Sequence, residues 1–394
     1  MIENFKTQES GIGFEFDIEF EVNQKMNCII GKNGIGKTQL LENMAKSLFY
    51  THSIFSKNID YKYKDLFMQK IINEKLSHLD LELPLNIVLN NIHIKDKGER
   101  QWRYTKFNLI GVNRDELFIC DKPLVFIGAK NRGFTKNIDS DNIKILGNFQ
   151  NRFIESIERT MNYINGEGLE NEEIANWFVS RLIINPNFVL AEQNKSNEVI
   201  TVLKLIEKLE PSLELVTKNK DGSNSLSMLY NEGKLLINNI PLDKLSTGFV
   251  SIIKIFQEIV AGYGGWSNKD DLSQVNGIVF IDEIEPHLHI SWQTKIINIL
   301  KQFFPNTTFY ITTHSPLVLA GLKDGEAYEL YQEDNIAKTK KIENIENYFL
   351  NDIVSEFFGV DLSQNKIDIP NKEKHKKVKS MLLNLTKTLQ EEQL

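Results

Sequence analysis

The sequence contains few cysteines and no long apolar segment. Its only two cysteines, Cys28 and Cys120, both lie in apolar stretches, which is typical of buried reduced thiols and not of a disulfide framework. No run approaches the roughly 18 consecutive apolar residues of a membrane-spanning helix. The first residues, MIENFK, carry an acid where a secretory signal would carry base. A disulfide-stapled miniprotein is excluded, and we expect a cytoplasmic protein without a membrane segment.

An excess of positive charge is also missing. The 46 Lys and Arg residues are outnumbered by 53 Asp and Glu residues, which gives a formal net charge of −7. The chain as a whole therefore lacks the basic surface of a nucleic-acid-binding protein. The one basic segment, residues 371–379, is typical of a solvated tail. Contact with nucleic acid is expected to be local or to be made through a complex with another protein.

The composition, 41% hydrophobic and 25% charged, is that of a globular chain, and its hydrophobic pattern is mixed. Alternating apolar and acidic residues over 14–22 predict a half-buried strand. Short β-like runs between 84 and 128 predict an antiparallel meander beside it. Residues 149–209 are predicted to be mainly helical, and 212–240 to be β-like again. After residue 240, strands alternate with helices, which predicts a parallel sheet.

A glycine-rich loop lies between an apolar run at 26–30 and a predicted helix. Its sequence GKNGIGKT fits the pattern G-x-x-x-x-G-K-[ST] in the strand, loop, helix context that this pattern requires. Glycines let backbone N–H groups face phosphate oxygens, and the helix N-terminus adds positive potential. We expect Lys37 to reach the β- and γ-phosphates of a nucleotide and Thr38 to ligate Mg²⁺. The predicted nucleotide-binding residues of this loop are Gly31, Lys32, Asn33, Gly34, Ile35, Gly36, Lys37 and Thr38.

Two later apolar runs each end in polar residues. The run GIVFIDE places Asp282 and Glu283 at the carboxyl end of a strand, where open α/β sheets bind ligands. We expect Asp282 to hold the Mg²⁺ and Glu283 to act as general base toward the attacking water. The next run ends in TTHSP, which makes His314 the candidate sensor of the γ-phosphate. His287 and His289 are spaced i, i+2, unlike the i, i+4 pair of a helical zinc site, and a structural role is expected for them.

The segment LSTGF at 245–249 directly precedes the strongest helical pattern of the chain. Such a segment is often only a helix cap, but the order GKNGIGKT, LSTG, IVFIDE, TTHSP resembles the ATP-binding-cassette (ABC) ATPases. The resemblance implies that Ser246 and Gly248 of one protomer close over the γ-phosphate bound to another. It also implies ATP and Mg²⁺ as cofactors, and a homodimer or higher homo-oligomer with composite ATP sites.

Further details indicate a branch of that family. DEIEPHLHISWQ followed by FYITTHSP resembles the branch of RecF, Rad50 and the overcoming-lysogenization-defect nucleases. Phe249 stands where transporter ATPases usually carry Gln, which argues against a transporter. No heptad pattern supports a long coiled-coil arm, and no DxD pattern follows Pro316, as a TOPRIM nuclease would require. The chain is similar to stand-alone ATPase subunits of Septu-type or PARIS-type antiphage defence pairs.

The resemblance implies an ATPase whose head dimerisation controls a separate effector, expected to be a nuclease. The partner resembles an HNH nuclease in Septu-type pairs and carries the TOPRIM fold in PARIS-type pairs, and the sequence does not choose between them. An ATP-held scaffold with little turnover, a RecF-like DNA-repair ATPase and a transporter ATPase subunit are the alternatives. Lys130, Asn131 and Arg132 are candidates for a polar lid over the γ-phosphate, with an exposed turn as the alternative reading.

The predicted fold class is α/β. It comprises an ABC ATPase head with a P-loop parallel-sheet core, an antiparallel β lobe and a helical insertion, without a long coiled coil. The predicted divisions are 1–148 for the N-terminal part of the head, 149–211 for the helical insertion, 212–325 for the C-terminal part of the head, and 326–394 for a C-terminal extension with a basic tail.

Overall fold

A computed structural model shows how these segments are arranged. It describes residues 2–8, 15–21, 24–52, 86–90, 92–95, 108–109, 120–130, 132–133, 146–164, 173–182, 194–231 and 233–358. The chain divides into two compact units, Met1–Tyr348 and Phe349–Leu394. The basic segment 371–379 and the interruptions expected near 166–168 and 185–186 lie outside the described residues.

Within the described residues, most strands are short and belong to one sheet. The strands are β1 (Asn4–Gln8), β2 (Glu15–Glu19), β3 (Met26–Gly31), β4 (Asn86–Leu89), β5 (Ile92–Lys95), β6 (Asn108–Leu109), β7 (Leu124–Ile127), β8 (Val216–Lys218), β9 (Asn224–Leu226), β10 (Met228–Asn231), β11 (Lys234–Ile237), β12 (Ile240–Pro241), β13 (Ile278–Ile281), β14 (Thr308–Thr312), β15 (Ala327–Glu333) and β16 (Ile336–Lys341).

The helices of the described residues are short except for the one that follows LSTGF. They are α1 (Lys37–Tyr50), α2 (Phe149–Ile164), α3 (Glu173–Leu182), α4 (Ser196–Leu209), α5 (Thr247–Trp266), α6 (Ile290–Gln293), α7 (Ile296–Phe303), α8 (Pro316–Leu319) and α9 (Leu350–Phe358), with 3₁₀ turns at Leu242–Lys244, Leu272–Gln274 and Ile345–Asn347. No long coiled coil occurs among them. None of the described helices has the length and apolar character needed to cross a membrane.

An 11-stranded sheet forms the frame of the first unit, with the strand order β6-β5-β4-β1-β2-β16-β15-β3-β14-β13-β7. Strands β15, β3, β14, β13 and β7 pair in parallel with one another, whereas β1, β2, β4, β5 and β6 pair with one another in antiparallel fashion. A parallel core with an antiparallel lobe was expected from the sequence, and this fold class is confirmed. The alternation over 14–22 also corresponds to β2, in which Phe16 and Ile18 are buried.

One part of the predicted meander was wrong. The run at 124–128 was expected in the antiparallel lobe, but β7 lies at the opposite edge of the sheet and pairs in parallel with β13. All four residues of β7 are buried, which is the pattern of a parallel strand covered on both faces. Only the end of the run at 116–120 is described, and there Cys120 forms an isolated bridge with His52.

The compact first unit also extends further than the expected boundary at 325. Strands β15 and β16 form an antiparallel hairpin, and the two strands pair in parallel with β3 and β2, respectively. The hairpin therefore joins the parallel core to the antiparallel lobe. In the second unit, the described residues form α9.

Aromatic side chains stack across three neighbouring strands, of which β13 leads to Asp282 and Glu283, the acidic pair. Phe280 of β13 lies 6.0 Å from Phe126 of β7 and 5.2 Å from Tyr310 of β14, measured between ring centroids. In each case the rings are close to parallel, and the residues are direct cross-strand partners. Such pairs stabilise one register of neighbouring strands, so this stack aligns the carboxyl ends of β7, β13 and β14.

Helix α5 packs closely onto the sheet and onto the helical region. A Cβ atom on Gly262 would lie 2.4 Å from a Val125 methyl of β7, so only glycine allows this approach.

Among the helices, a buried ion pair joins Arg181 of α3 to Glu198 of α4 at 2.7 Å. Arg181 also donates to the Trp177 carbonyl and lies over the Trp177 ring. This arginine is thus a fully engaged structural side chain.

We expect Phe280→Ala to destabilise the first unit by about 3–5 kcal/mol, because it leaves a cavity between two stacked rings in the core. The free energy of unfolding from denaturant titration measures the effect. Leu229→Ala is the control, since the Leu229 side chain is 53% exposed and its loss should cost no more than about 0.5 kcal/mol. Equal effects of the two changes would contradict the role of the aromatic stack.

Candidate active site

The glycine-rich loop connects β3 to α1 at the carboxyl edge of the parallel strands. A Cβ atom on Gly31 would lie 2.6 Å from the Leu330 carbonyl oxygen of β15, so only glycine fits at this position. Gly34 and Gly36 adopt positive φ angles of 78° and 93°, and Gly36 is the N-cap of α1. Side chains would be strained in both conformations. The loop is thus shaped by its glycines, and its residues 32–34 are exposed.

Lys37 spans this loop from the first turn of α1. Its Nζ atom donates to the carbonyl oxygens of Gly31 at 2.8 Å and of Lys32 at 3.1 Å. Burial lowers the pKa of Lys37, and the nearby carboxylates of Glu283, Asp282 and Glu285 oppose this shift. The ammonium is therefore held at the inner side of the loop, between the loop carbonyls and the acidic strand end.

Asp282 connects the acidic strand to the loop. Its N–H donates to the Ile127 carbonyl at 2.9 Å and continues the β13–β7 ladder by one residue. Its side chain is 4% exposed and accepts two hydroxyl hydrogen bonds, one at each oxygen. Thr38 donates to Oδ2 at 2.8 Å, and Thr312 donates to Oδ1 at 2.7 Å. Both carboxylate oxygens are thus oriented by side chains from α1 and β14.

Glu283 follows in a conformation that is rare for a side chain of its size. Its φ angle is 47°, in the left-handed region, which costs a non-glycine residue about 1–2 kcal/mol. Its N–H donates to the Thr312 hydroxyl at 2.8 Å, and its carbonyl accepts from Nη2 of Arg132. Glu283 is half-buried. It is the next residue after Asp282, whose side chain contacts Thr38.

The end of β14 is fixed by a third acid. Glu285 accepts a hydrogen bond from the Thr313 hydroxyl and another from the His314 N–H, both at 2.6 Å. His314 is half-buried and lies at the same sheet edge as the loop, because β14 pairs in parallel with both β3 and β13. Ser315 caps α8. The structure thus brings the strand end that carries His314 to the acidic pair.

The LSTGF segment leads into α5, and the first turn of this helix contacts the loop that follows the acidic pair. Ser246 is the N-cap, exposed, and its hydroxyl accepts from the Phe249 N–H at 3.2 Å. A Cβ atom on Gly248 would meet the His287 carbonyl at 2.3 Å, and Ser251 donates to the Pro286 carbonyl. Among the described residues, no hydrogen bond joins Ser246 to the glycine-rich loop.

The donor set around Thr38 and Asp282 fits magnesium. Mg²⁺ is usually held by one or two protein oxygens, with water and substrate phosphates completing the shell. The Thr38 hydroxyl and the Asp282 carboxylate supply such oxygens 2.8 Å apart. No cluster of three or more His, Cys, Asp or Glu side chains suited to a metal occurs among the described residues. His289 instead caps α6, the structural role that the sequence predicted.

Comparison with known proteins identifies relatives of the chain. Residues 135–320 match the family "AAA domain, putative AbiEii toxin, Type IV TA system". The chain is 28% identical over 370 residues to the Septu protein PtuA of Bacillus mycoides (strain KBAB4), which covers 91% of this chain and 44% of that protein. It is 23% identical over 371 residues to the Septu protein PtuA of Bacillus thuringiensis, covering 91% and 85%. The chain thus spans less than half of the first relative.

The chain resembles these Septu proteins over most of its length. The resemblance that the four motifs predicted is thereby confirmed. Among solved structures, the SmcHead bound to the C-winged helix domain of ScpA is similar, with a TM-score of 0.41 and 12% identity over 87% of this chain and 98% of that one.

The structure revealed contacts in the head that the motifs did not indicate. The bridging hydroxyl of Thr312 lies within the TTHSP run, but its partners depend on the register of β13 and β14. Arg132, a candidate for the lid, is 1% exposed and bonded to the Glu283 carbonyl. The lid reading is thus wrong for Arg132, because its side chain is buried behind the acidic pair. Lys130 is exposed, and Asn131 lies outside the described residues.

Thr312→Val should weaken Mg²⁺-dependent nucleotide binding by about 10-fold to 100-fold, because the methyl group cannot orient Asp282. Titration of a fluorescent ATP analogue at increasing Mg²⁺ concentrations measures the change. Thr312→Ser keeps the hydroxyl and is the matched control. An unchanged Mg²⁺ dependence in the valine variant would show that the bridging hydroxyl does not support the metal site.

Proposed function

We propose that the chain binds ATP with Mg²⁺ and hydrolyses it to ADP and phosphate. The observation that carries the proposal is the hydrogen bond between Thr38 and Asp282, because it joins the phosphate loop to the acidic strand. Lys37 lies at the inner side of the same loop. The loop amides and Lys37 bind the phosphates, with the nucleotide-binding residues as predicted from 31–38.

In this proposal each residue at the sheet edge has a separate task. Thr38 and Asp282 would hold Mg²⁺, which would supply positive charge to neutralise the phosphate oxygens. Glu283 accepts a proton from the attacking water as the oxygen bonds to the γ-phosphorus, while the bond from that phosphorus to the leaving ADP oxygen breaks. His314, at the end of β14, contacts the γ-phosphate. Lys37 exchanges its loop carbonyls for phosphate oxygens when the nucleotide binds.

A second copy of the chain completes the site. Ser246 and Thr247 are exposed at the N-terminus of α5, and a helix N-terminus attracts phosphate oxygens. The same end of α5 is packed on the loop after the acidic pair through Gly248 and His287. We propose that Ser246 and Gly248 close on the γ-phosphate of the partner copy, giving a homodimer or a higher homo-oligomer with paired sites.

Head pairing would then control a separate effector protein in the cytoplasm. The similarity to two Septu proteins over 91% of the chain supports a Septu-type defence role. Contact with nucleic acid would be made through the complex with that effector. ATP-driven opening and closing of the heads would hold or release the nuclease.

Lys37→Ala and Glu283→Gln should each lower ATP turnover by about 100-fold or more, since they remove phosphate binding and the general base, respectively. Steady-state phosphate release measures turnover. Glu283→Gln should still bind ATP and accumulate paired heads, seen as an increase in mass by light scattering. The matched controls are Lys234→Ala and Glu346→Gln, which change exposed side chains.

Turnover that survives both changes would contradict the proposal. A wild-type protein that oligomerises with ATP but releases no phosphate would instead be an ATP-held scaffold.

Cross-linking tests the composite site. One protein carries Asn33→Cys and another Thr247→Cys, both at exposed positions and both in a Glu283→Gln background. The native thiols should stay unreactive, because burial raises the pKa of Cys120 to about 11 and also raises that of Cys28. A short bismaleimide should yield a covalent dimer only when the two proteins are mixed with Mg-ATP.

Each protein with one introduced cysteine, tested alone, is the control. If Thr247 and the loop belonged to one closed site within a chain, a protein with both cysteines would cross-link internally and the mixture would give no dimer.

A further inference from the structure

Arg132 is a buried arginine with few partners. Its side chain is 1% exposed, and it donates through Nη2 to the carbonyl of Glu283. Its Nε and Nη1 atoms make no hydrogen bond in the described part of the chain. Burying a guanidinium is costly unless its donors are used, so stability alone does not account for this arginine.

Arg181 shows what a structural arginine in the same unit looks like. It is 7% exposed, bonded to Glu198, Trp177 and Ser180, and stacked on the Trp177 ring. Its donors are largely used within the helical region. The contrast indicates that the role of Arg132 lies in its hydrogen bond to the Glu283 peptide.

That peptide is held from two sides. Glu283 has a left-handed backbone, and its N–H and C=O are both bonded to side chains of neighbouring segments. Thr312 of β14 accepts from the N–H, and Arg132, after β7, donates to the C=O. Because a left-handed glutamate persists only where its surroundings enforce it, these two contacts fix where the Glu283 carboxylate points.

Packing of the neighbouring loop supports this reading. A Cβ atom on Gly133 would lie 2.9 Å from the His287 ring, so the segment after β7 runs closely along the segment after β13. The carboxylates of Asp282, Glu285 and Glu283 lie within electrostatic range of the Arg132 guanidinium. The guanidinium is planar and permanently charged, and the surrounding acids favour its position behind the acidic pair.

We propose that Arg132 is a positioning residue for ATP hydrolysis, which acts by holding the Glu283 backbone so that the carboxylate faces the attacking water. The inference rests on the proposed ATPase function. It assigns no contact between Arg132 and the nucleotide. Arg132 should therefore influence the rate of the chemical step and not the affinity for ATP.

The test compares Arg132→Ala and Arg132→Lys with wild type in steady-state ATP hydrolysis and in binding of a fluorescent ATP analogue. We expect kcat to fall by about 10-fold to 100-fold in both variants, with KM and Kd for ATP within about twofold, as expected for an interaction made only through the base. Guanidinium chloride at low, non-denaturing concentration should partly restore kcat of Arg132→Ala, but not of Glu283→Gln.

Two further proteins separate positioning from general stability. Arg132→Ala added to Glu283→Gln should cause no further loss of turnover, because the base through which Arg132 acts is already absent. Arg181→Ala, the matched control, should lower the melting temperature while kcat of the folded protein stays within about twofold of wild type. Where the alanine variant does not fold, the lysine variant gives the same comparison of kcat with KM.

Three results would overturn the inference. The first is an unchanged kcat in both variants, and the second is a raised KM with kcat intact, which would place Arg132 on the nucleotide. The third is that Arg132→Ala lowers turnover by the same factor in the wild-type and Glu283→Gln backgrounds. Loss of turnover in Glu283→Gln together with intact kcat in the Arg132 variants would reject only this inference. Turnover independent of Glu283 would reject the proposed function as well.

Discussion

The hydrogen bond from Thr38 to Asp282 depends on the alignment of three strands that are distant in sequence. Thr38 follows β3, Asp282 follows β13, and β14 lies between them with Thr312 bonded to Asp282. A shift of one residue in either pairing would turn the Thr312 hydroxyl to the other face of the sheet. The aromatic stack through Phe280 opposes such a shift. The packing of the core therefore also fixes the geometry of the site.

Charge at the sheet edge is arranged around the same bond. Three carboxylates, of Asp282, Glu283 and Glu285, lie near the ammonium of Lys37 and the guanidinium of Arg132. Burial lowers the pKa of Lys37, while the acids oppose that shift. An anionic nucleotide would be repelled by the acids alone, so Mg²⁺ and the loop amides are needed to offset them. The predominance of acid thus agrees with a site that takes its phosphates together with a metal.

The helix that begins with Thr247 relates this site to a second surface. Its N-terminus is exposed at Ser246 but packed at Gly248 and Ser251 on the loop that follows the acidic pair. A displacement of that loop would therefore move the LSTGF segment. In the proposed dimer, this contact would transmit a change at the nucleotide site to the partner copy, because packed contacts shift as units and do not deform continuously.

By itself, the sequence determined the local chemistry and the fold class. The glycines of the phosphate loop, the acids that end β13 and the alternation of β2 are patterns of neighbouring residues, and neighbours in sequence are enough to specify them. Three features could not be predicted in this way. They are the place of β7, the inclusion of the β15–β16 hairpin in the main sheet and the burial of Arg132. Only the tertiary structure decided them, because strand pairing and a hydrogen bond such as that from Arg132 to Glu283 join residues that the chain itself keeps far apart.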